Sequence, residues 1–282
     1  MLGVLNAVTL SALLVMLASG LAMIFGLRGI MNFAHGSLYM LGAYLAYSLA
    51  SPLGFWPSLV VVPAILAVAG VLLEFGIFRP LRRRRDLDLA LITYGLSLVI
   101  GQVLISIYSG NTLPVQPPAG LTGTISLFGV QYPSYRLLII GLGLGTVIAL
   151  FAWLKWTRTG LFVRAVSHDS ATSHMVGVDI RRVGLLVVCL STALAGLAGV
   201  LAGPYIAVQP GMGDSIMISS LVIIAIGGLG SIGGSIVAAV LIGVVSSLGE
   251  QFIPSVSSLL PYILLIVVLA RRPQGLGGAR SA

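Results

Sequence analysis

The fold of this chain is organised around the stretch Lys155–Arg182, which reads KWTRTGLFVRAVSHDSATSHMVGVDIRR. Long apolar segments flank it on both sides. It carries five of the fifteen basic residues and two of the seven acids. A Lys, Arg or Asp near the centre of a bilayer costs about 2.5–3.5 kcal/mol on insertion scales. This stretch, which we call the charged island, is therefore predicted to lie outside the membrane with a structure of its own.

The composition of the whole chain indicates that most of its surface contacts lipid. Of the 282 residues, 58% are hydrophobic and 8% are charged, whereas soluble domains carry about 25% charged residues. The mean hydropathy is +1.11, and there is too little polar surface to cover a soluble core of this size. These values predict an all-α polytopic membrane protein, and the 36 glycines fit close helix packing.

The net charge of +8 is interpreted as a topology signal and not as a nucleic-acid-binding surface. The arginines cluster in short loops between apolar runs, as the positive-inside rule expects. The most basic loop, Arg79–Asp88, predicts a cytoplasmic anchor that also contacts anionic lipid. Glu74, just before it, is expected to reach the surface or to pair with an arginine. The single cysteine, Cys189, permits no intrachain disulfide.

Apolar runs of membrane-spanning length predict about eight or nine crossings, some of them broken or re-entrant. Counting from the Arg79–Asp88 loop places the N-terminus outside and the C-terminus, after Arg271 and Arg272, in the cytoplasm. The uncharged stretch Gly110–Tyr135 then lies outside. The predicted runs other than those in residues 214–250 are Val4–Leu27, Ile30–Ala50, Pro57–Phe78, Leu89–Tyr108, Leu137–Trp153, Val183–Ala207 and Leu259–Ala270.

The stretch between Asp214 and Glu250 carries no charge and is too long for one crossing, since a single helix there measures about 52 Å. The glycines of Gly227–Gly234 break it. The topology places both acids outside, so the stretch is either two short crossings or a re-entrant pair that meets at the glycines. Non-helical backbone at membrane depth is tolerated only where protein buries it or where it lines a cavity. The glycine break is therefore expected near a pore or a partner interface.

Asn32 and His35 open the second apolar run and are the first candidates for a solute path. Polar groups at the start of a membrane helix are costly unless they are hydrogen-bonded or hydrated. An ionisable residue at such a position is therefore a candidate for a functional role. The alternative is that His35 is neutral and bonds a backbone carbonyl of a neighbouring helix. Both interpretations stay open, because such a bond also shapes a pore.

The charged island is predicted to hold a short helix of its own. Arg158–Arg164 is expected to continue the preceding helix past the membrane surface. Ser167 or Asp169 then caps a short helix that Gly177 ends in the left-handed conformation. Its apolar residues, Ala171, Met175 and Val176, share one face. Such a face either docks in a groove on a cytoplasmic partner or packs on the chain's own bundle.

Motifs for catalysis and cofactor binding are rejected. Gly228–Gly233 matches G-x-G-x-x-G, but uncharged membrane-length segments flank it and no βαβ unit surrounds it. Gly234 occupies the position where a phosphate loop needs lysine. His168 and His174 beside Asp169 make a weak metal site, because basic residues crowd the loop and a fourth ligand is missing. The chain is therefore predicted to be no enzyme, to carry no cofactor and to rely on other subunits for ATP hydrolysis.

Several motifs resemble the permease subunits of branched-chain amino acid ABC importers, in particular the shorter of the two usual permeases. Asn32–Gly36 (NFAHG) looks like the signature near the N-terminus of that family. Glu74 with Arg79–Arg82 is similar to its first basic loop, and Gly160 to Arg182 resembles its cytoplasmic coupling loop. Gly227–Gly234 (GGLGSIGG) looks like its late glycine motif. The island departs at Ser170–His174, where relatives commonly have Pro-Glu-Ala-Ala-Arg.

The resemblance implies a single transmembrane permease domain over residues 1–282 in a bacterial inner membrane, with a coupling loop at residues 155–182. Its implied partners are a second permease, two ATP-binding subunits and a soluble substrate-binding protein on the outer side. The chain would form half of a path for branched-chain or similar small amino acids. The path candidates are Asn32, His35, Gly227, Gly228 and Gly230. The coupling candidates are Arg164, Asp169, Ala171, Met175 and Gly177.

Other transport functions stay open at this stage. The same kind of permease also suits amides, urea or another small solute. A self-sufficient secondary transporter or channel is a further alternative, since broken helices are common there. Against it, Glu74 and Glu250 both lie near the ends of their apolar runs, where they are poor ion-coupling groups. An intramembrane enzyme has no nucleophile and base to support it.

Overall fold

The computed structural model describes residues 1–81, 84–127 and 129–277, and nearly all of its regular structure is helical. A π-helical turn, Glu74–Phe78, extends the third helix, and a 3₁₀ turn, Pro254–Leu259, precedes the last one. The helices are α1 (Leu2–Arg28), α2 (Ala34–Ala50), α3 (Phe55–Leu73), α4 (Asp86–Tyr108), α5 (Ser134–Trp156), α6 (Arg158–His168), α7 (Ser170–Met175), α8 (Ile180–Ile206), α9 (Met212–Gly227), α10 (Ile232–Phe252) and α11 (Leu260–Arg271).

Within the described residues, seven helical stretches are long and apolar enough to cross a membrane. They are α1, α3 with its π-helical turn, α4, α5, α8, α10, and α11 with its 3₁₀ turn. Two further helices, α2 with 17 residues and α9 with 16 residues, are shorter. The prediction of an all-α polytopic membrane protein is confirmed.

Two helices, α1 and α8, form the centre of the bundle. In their most apolar 18-residue windows, 83% of α1 and 67% of α8 is buried inside the chain, against 17% of α4 and none of α11. Helices that are apolar all round bury every face only when other helices surround them. The outer helices therefore leave apolar faces for lipid or another subunit, as expected of a membrane bundle.

The two ends of the bundle can be told apart by their contacts. At one end, Arg28, the last residue of α1, forms an ion pair with Glu74 and approaches Gly184 near the start of α8. This end carries the charged island, and we call it the island end. At the opposite end, the carbonyl oxygen of Gly3 accepts a hydrogen bond of 3.2 Å from the Ser247 hydroxyl. Helices α1 and α10 therefore run antiparallel.

Close glycine contacts hold α2 against α8. A Cβ atom added at Gly42 would lie 2.8 Å from the Cα of Gly196. One added at Gly199 would meet the backbone of α2 at Tyr39 and Ala43. Small residues at such crossings let helix backbones approach where lipid supplies no hydrophobic drive for association.

The second predicted run differs from the structure at its start. It was expected to be helical from Ile30, but α2 begins at Ala34. The side-chain oxygen of Asn32 accepts a hydrogen bond of 3.1 Å from the Ala34 N–H. That bond satisfies one of the donors that a helix start leaves free. The chain from Gly29 to Phe33 is therefore non-helical.

The expectation that Arg158–Arg164 continues the preceding helix is wrong. α5 ends at Trp156, and Thr157 adopts an extended conformation. The Thr157 hydroxyl accepts a hydrogen bond of 3.0 Å from the Gly160 N–H, so it caps a new helix, α6. The sequence analysis missed this break because a side-chain cap sets it.

The loop between α4 and α5 contains a β-hairpin that the sequence analysis did not predict. Strands β1 (Thr124–Leu127) and β2 (Val130–Pro133) pair antiparallel, with Leu127 opposite Val130. The hairpin contacts α1, because the Tyr132 hydroxyl donates a 2.9 Å hydrogen bond to the Leu5 carbonyl oxygen. Short strands without clear apolar alternation give little signal in the sequence.

The uncharged stretch after Asp214 is a helical hairpin of α9 and α10 whose turn lies at the island end. Gly228 and Gly230 adopt left-handed φ angles of 94° and 83° there. A Cβ atom added at Gly26 in α1 would lie 2.8 Å from the Gly230 carbonyl oxygen. The turn is thus packed tightly on α1 rather than open.

Candidate functional site

The charged island presents the short helix α7, whose ends match the predicted signals. Asp169 accepts hydrogen bonds from the N–H groups of Ala171 (2.9 Å) and Thr172 (3.1 Å). Its other oxygen accepts from the Thr172 hydroxyl, and these bonds hold the pKa of the Asp169 carboxyl below its usual range. Gly177 ends the helix with a φ of 86°. The predicted cap at Asp169 and stop at Gly177 are confirmed, whereas the alternative cap, Ser167, lies within α6.

The apolar face of α7 points away from the bundle. Met175 and Val176 are 78% and 75% exposed, and Ala171 is also exposed. Ser173 is buried on the opposite side. Exposed apolar side chains outside the lipid-spanning helices indicate a contact surface for another protein or for the membrane surface.

Helix α6 adds exposed apolar residues that the sequence analysis missed. Leu161 and Phe162 are exposed, as is Trp156 at the end of α5. Arg164, a predicted coupling residue, is exposed as well and lies on α6 rather than on α7. The buried residues Val163 and Val166 alternate with them at helical spacing, which was the available signal.

A polar cavity of about 750 Å³ connects the charged island to the membrane helices. It lies between the ends of α1 and α3 and the starts of α4, α7 and α8. Its polar and charged lining residues are Arg28, Glu74, Arg79, Asp86, Ser170 and Arg181. The island therefore lies directly against the ends of α1 and α3 and the start of α8.

The ion pair of Arg28 with Glu74 forms one wall of this cavity and is largely shielded from water. The two side chains are 14% and 6% exposed. The Arg28 guanidinium also stacks over the Phe78 ring at 5.3 Å. The expectation that Glu74 pairs with an arginine is confirmed, with Arg28 as the partner instead of an arginine of the basic loop.

The two polar residues at the start of α2 are buried inside the chain. His35 bonds the Leu17 carbonyl oxygen of α1 through Nε2 at 3.1 Å. The predicted bond of His35 to a backbone carbonyl of a neighbouring helix is therefore present. Both Asn32 and His35 are fully buried, and within the described residues Asn32 Nδ2 and His35 Nδ1 have no hydrogen-bond partner. The bond from His35 ties the start of α2 to the middle of α1.

The candidate glycines Gly227, Gly228 and Gly230 form the closed turn between α9 and α10. The carbonyl oxygens of Ile226 and Gly227 accept hydrogen bonds of 2.8 Å from the N–H groups of Leu276 and Gly277. The segment after α11 thereby satisfies carbonyl groups that the end of α9 leaves free. This cap by a distant segment was not predicted from the sequence.

A second polar cavity, of about 170 Å³, lies halfway along the bundle. It is formed by α2, α4 and the start of α9, and its polar lining residues are Ser37, Ser97, Gln102 and Asp214. Ser97 is the middle residue of the 23-residue helix α4. The cavity is therefore at mid-height, far from both ends of that helix.

The position of Asp214 corrects the expectation that this acid lies at the outer end. After α8 the chain turns at Ala207, which has a left-handed φ of 61°, and α9 starts only at Met212. A Cβ atom added at Gly213 would lie 2.9 Å from the Gly36 carbonyl oxygen near the start of α2. Glu250, by contrast, is near the end of α10 beside the N-terminus of α1. The order of charges along the sequence does not show how deep in the membrane a charged residue lies.

Apolar helices around a buried centre, with a charged island at one end and a polar cavity at mid-height, define a polytopic membrane protein. Residues 3–269 match the family described as "Branched-chain amino acid transport system / permease component". The chain belongs to this family and is a permease subunit, not an enzyme.

Individual relatives agree with this assignment. The permease LivH of Salmonella typhimurium is 27% identical, and the match covers 97% of this chain and 94% of the relative. BraD of Pseudomonas aeruginosa is 29% identical with the same coverage. LivM of Escherichia coli is 31% identical over 97% of this chain and 70% of its own length. All three are named as high-affinity branched-chain amino acid transport system permease proteins.

Proposed function

We propose that this chain forms half of the translocation path of an ATP-driven importer for branched-chain or similar small amino acids. The observation that carries the proposal is the family match over residues 3–269. Its similarity to both LivH and LivM supports a pore built from two related permeases. Two ATP-binding subunits and a soluble substrate-binding protein complete the proposed importer.

The proposed orientation in a bacterial inner membrane has the N-terminus outside and the island end in the cytoplasm. The basic residues of the charged island, together with Arg28, Arg79, Arg271 and Arg272, support it through the positive-inside rule. With α2 and α9 added to the seven long apolar stretches, we propose nine crossings within the described residues. Residues 1–282 then act as one permease domain.

Coupling to ATP is proposed to enter through α6 and α7. The exposed apolar residues Met175 and Val176 suit a groove on an ATP-binding subunit. Asp169 and Gly177 define the ends of α7, and Arg164 on α6 supplies an exposed charge beside it. The polar cavity behind the island would transmit the movement to α1, α3 and α8.

The proposed path runs beside the starts of α2 and α9. Asn32 and His35 are buried, so we propose that they shape the path by holding the start of α2 against α1. Gly227, Gly228 and Gly230 are proposed to fix the hairpin of α9 and α10 beside it. In this arrangement Ser37, one turn into α2, faces the mid-height cavity.

Reconstitution tests the assignment. The chain, a second permease and the two ATP-binding subunits are placed in proteoliposomes with the loaded binding protein. ATP-dependent uptake of leucine, isoleucine or valine is expected from the full set and none from this chain alone. Uptake by the chain alone under an ion gradient would favour a secondary transporter, and preference for urea or amides would reassign the substrate.

A further inference from the structure

We propose that the mid-height cavity binds the ammonium group of the transported solute, with Asp214 as its counter-ion. The inference rests on the proposed function and deepens it, because it restricts the solute to one that carries a free, protonated amine.

Asp214 needs an explanation because of its depth. Its side chain is exposed on this chain, and within the described residues it takes part in no hydrogen bond or ion pair. A carboxylate in the middle of the hydrocarbon costs about 2.5–3.5 kcal/mol on insertion scales. Acids at such positions therefore face a water-filled path or a cation. Asp214 thus marks the side of the bundle that lipid does not cover.

The start of α9 leaves the side chain of Asp214 available to a ligand. The residue lies in the first turn of α9, where the helix dipole stabilises a negative charge. It follows Gly211, whose carbonyl oxygen accepts from the N–H groups of Asp214 (3.1 Å) and Ser215 (3.2 Å). The side chain is accordingly free to point at a ligand instead of capping its own helix.

The other polar groups of the cavity accept hydrogen bonds from a donor-rich ligand. The Ser37 and Ser97 hydroxyls bond each other at 2.8 Å, so one of them keeps its oxygen lone pairs for a ligand. Gln102 adds an amide oxygen, and the residues that line the cavity include no Lys, Arg or His. One carboxylate with neutral acceptors matches an ammonium ion, which has three donors and no acceptor.

The volume of the cavity limits how much of the solute it holds. Pockets for whole small molecules measure about 300–1,000 Å³, and this cavity measures about 170 Å³. It is smaller than a typical ligand pocket and has room for an ammonium group with the adjoining carbons. Any remainder of the solute would then lie outside it.

Uptake by the complete importer in proteoliposomes tests the assignment with Asp214→Asn. We expect leucine uptake to fall at least tenfold, while the complex stays assembled and its ATP hydrolysis still responds to loaded binding protein. Glu250→Gln removes the same charge at the end of α10 and is expected to keep uptake within twofold of wild type. Unchanged uptake by Asp214→Asn would overturn the proposal, and so would dissociation of the second permease, which would identify Asp214 as an interface ion pair.

A labelling experiment measures the site without relying on uptake. In a Cys189→Ser background, Gln102→Cys places a thiol in the cavity wall, and Asn111→Cys in the exposed loop after α4 is the control. A cationic trimethylammonium thiosulfonate is expected to react with the cavity thiol at least tenfold faster than an anionic sulfonate. The Asp214→Asn change should abolish this difference, and leucine during turnover should slow the cationic reagent.

The outcomes separate the two proposals. Equal rates for the two reagents, or no change with Asp214→Asn, would overturn the ammonium site even if leucine is transported. If the wild-type importer carries no amino acid while labelling remains cation-selective and dependent on Asp214, the proposed substrate fails and the cation-binding cavity stands.

Discussion

At the scale of single residues, the ion pair between Arg28 and Glu74 is the contact whose disruption is expected to cost the most stability. Both side chains are shielded from water, so removing one leaves the other charged and unpaired. Breaking a buried pair in this way typically costs about 3–5 kcal/mol, whereas an apolar replacement of both partners is often neutral. Removing only one partner is therefore predicted to lower the free energy of unfolding more than replacing both partners with apolar residues.

Thermal unfolding of the purified complex in detergent checks this prediction. Arg28→Met alone is expected to lower the unfolding temperature strongly. The double variant Arg28→Met with Glu74→Leu should recover most of the loss. If the double variant is no more stable than the single one, Glu74 is not the group that the arginine neutralises.

The contact of Gly42 with Gly196 gives a second residue-scale prediction. A Cβ atom at Gly42 has no room beside the Gly196 backbone, so Gly42→Ala must separate α2 from α8. Overpacking of this kind costs about 1–3 kcal/mol. The matched control is Gly141→Ala on α5, where a Cβ atom meets nothing within 4 Å. A lower unfolding temperature is expected for the first variant only.

At the scale of elements, α7 is a short helix whose start depends on one carboxylate. Hydrogen bonds from Thr172 and Ala171 lower the pKa of Asp169. The stability that the ionised Asp169 carboxyl adds to α7 is therefore fully present above the ordinary pKa of an aspartate. It is lost only as the pH falls through the lowered folded-state pKa. Coupling between pH 5 and 8 should therefore show no dependence on the titration of Asp169.

Substitution on the exposed face of α7 tests the coupling surface. Ala171→Glu places a charge on the face that carries Met175, and uptake is expected to fall at least tenfold while the protein still reaches the membrane. Ala171→Ser adds little volume and is expected to transport normally. Wild-type uptake by Ala171→Glu would remove α7 from the coupling surface.

The cap on α9 predicts a role for the segment after α11. Truncation after Arg272 removes the Leu276 and Gly277 N–H groups and leaves the carbonyl groups of Ile226 and Gly227 without these donors. Unsatisfied buried backbone groups cost about 1–3 kcal/mol each. A lower unfolding temperature is expected, whereas truncation after Gly277 keeps both hydrogen bonds and should have little effect. Equal stability of the two truncations would contradict this role.

At the scale of the whole molecule, the proposed topology makes opposite ends of the bundle accessible from opposite sides. In a Cys189→Ser background, Asn111→Cys in the loop after α4 is expected to react with a membrane-impermeant thiol reagent on intact cells. His174→Cys on α7 should react only after the cells are opened. Reaction of His174→Cys in intact cells would invert the orientation.

The sequence by itself determined the class of the protein, the position of nearly every apolar helix and the ends of α7. These features depend on properties that are local along the chain: hydropathy over about 20 residues, charges excluded from lipid, and a capping residue beside its helix. The breaks at Ala34 and Thr157 were missed because side-chain caps, and not hydropathy, set them.

Only the tertiary structure decided how deep each polar residue lies and what it faces. It enclosed His35 against α1, paired Arg28 with Glu74, and brought Asp214 to the level of Ser97. These partners are far apart in the sequence, and their meeting depends on how the helices pack. A hydropathy pattern reports that a segment enters the membrane, but the start of α9 at mid-height follows from the close contact of Gly213 with Gly36.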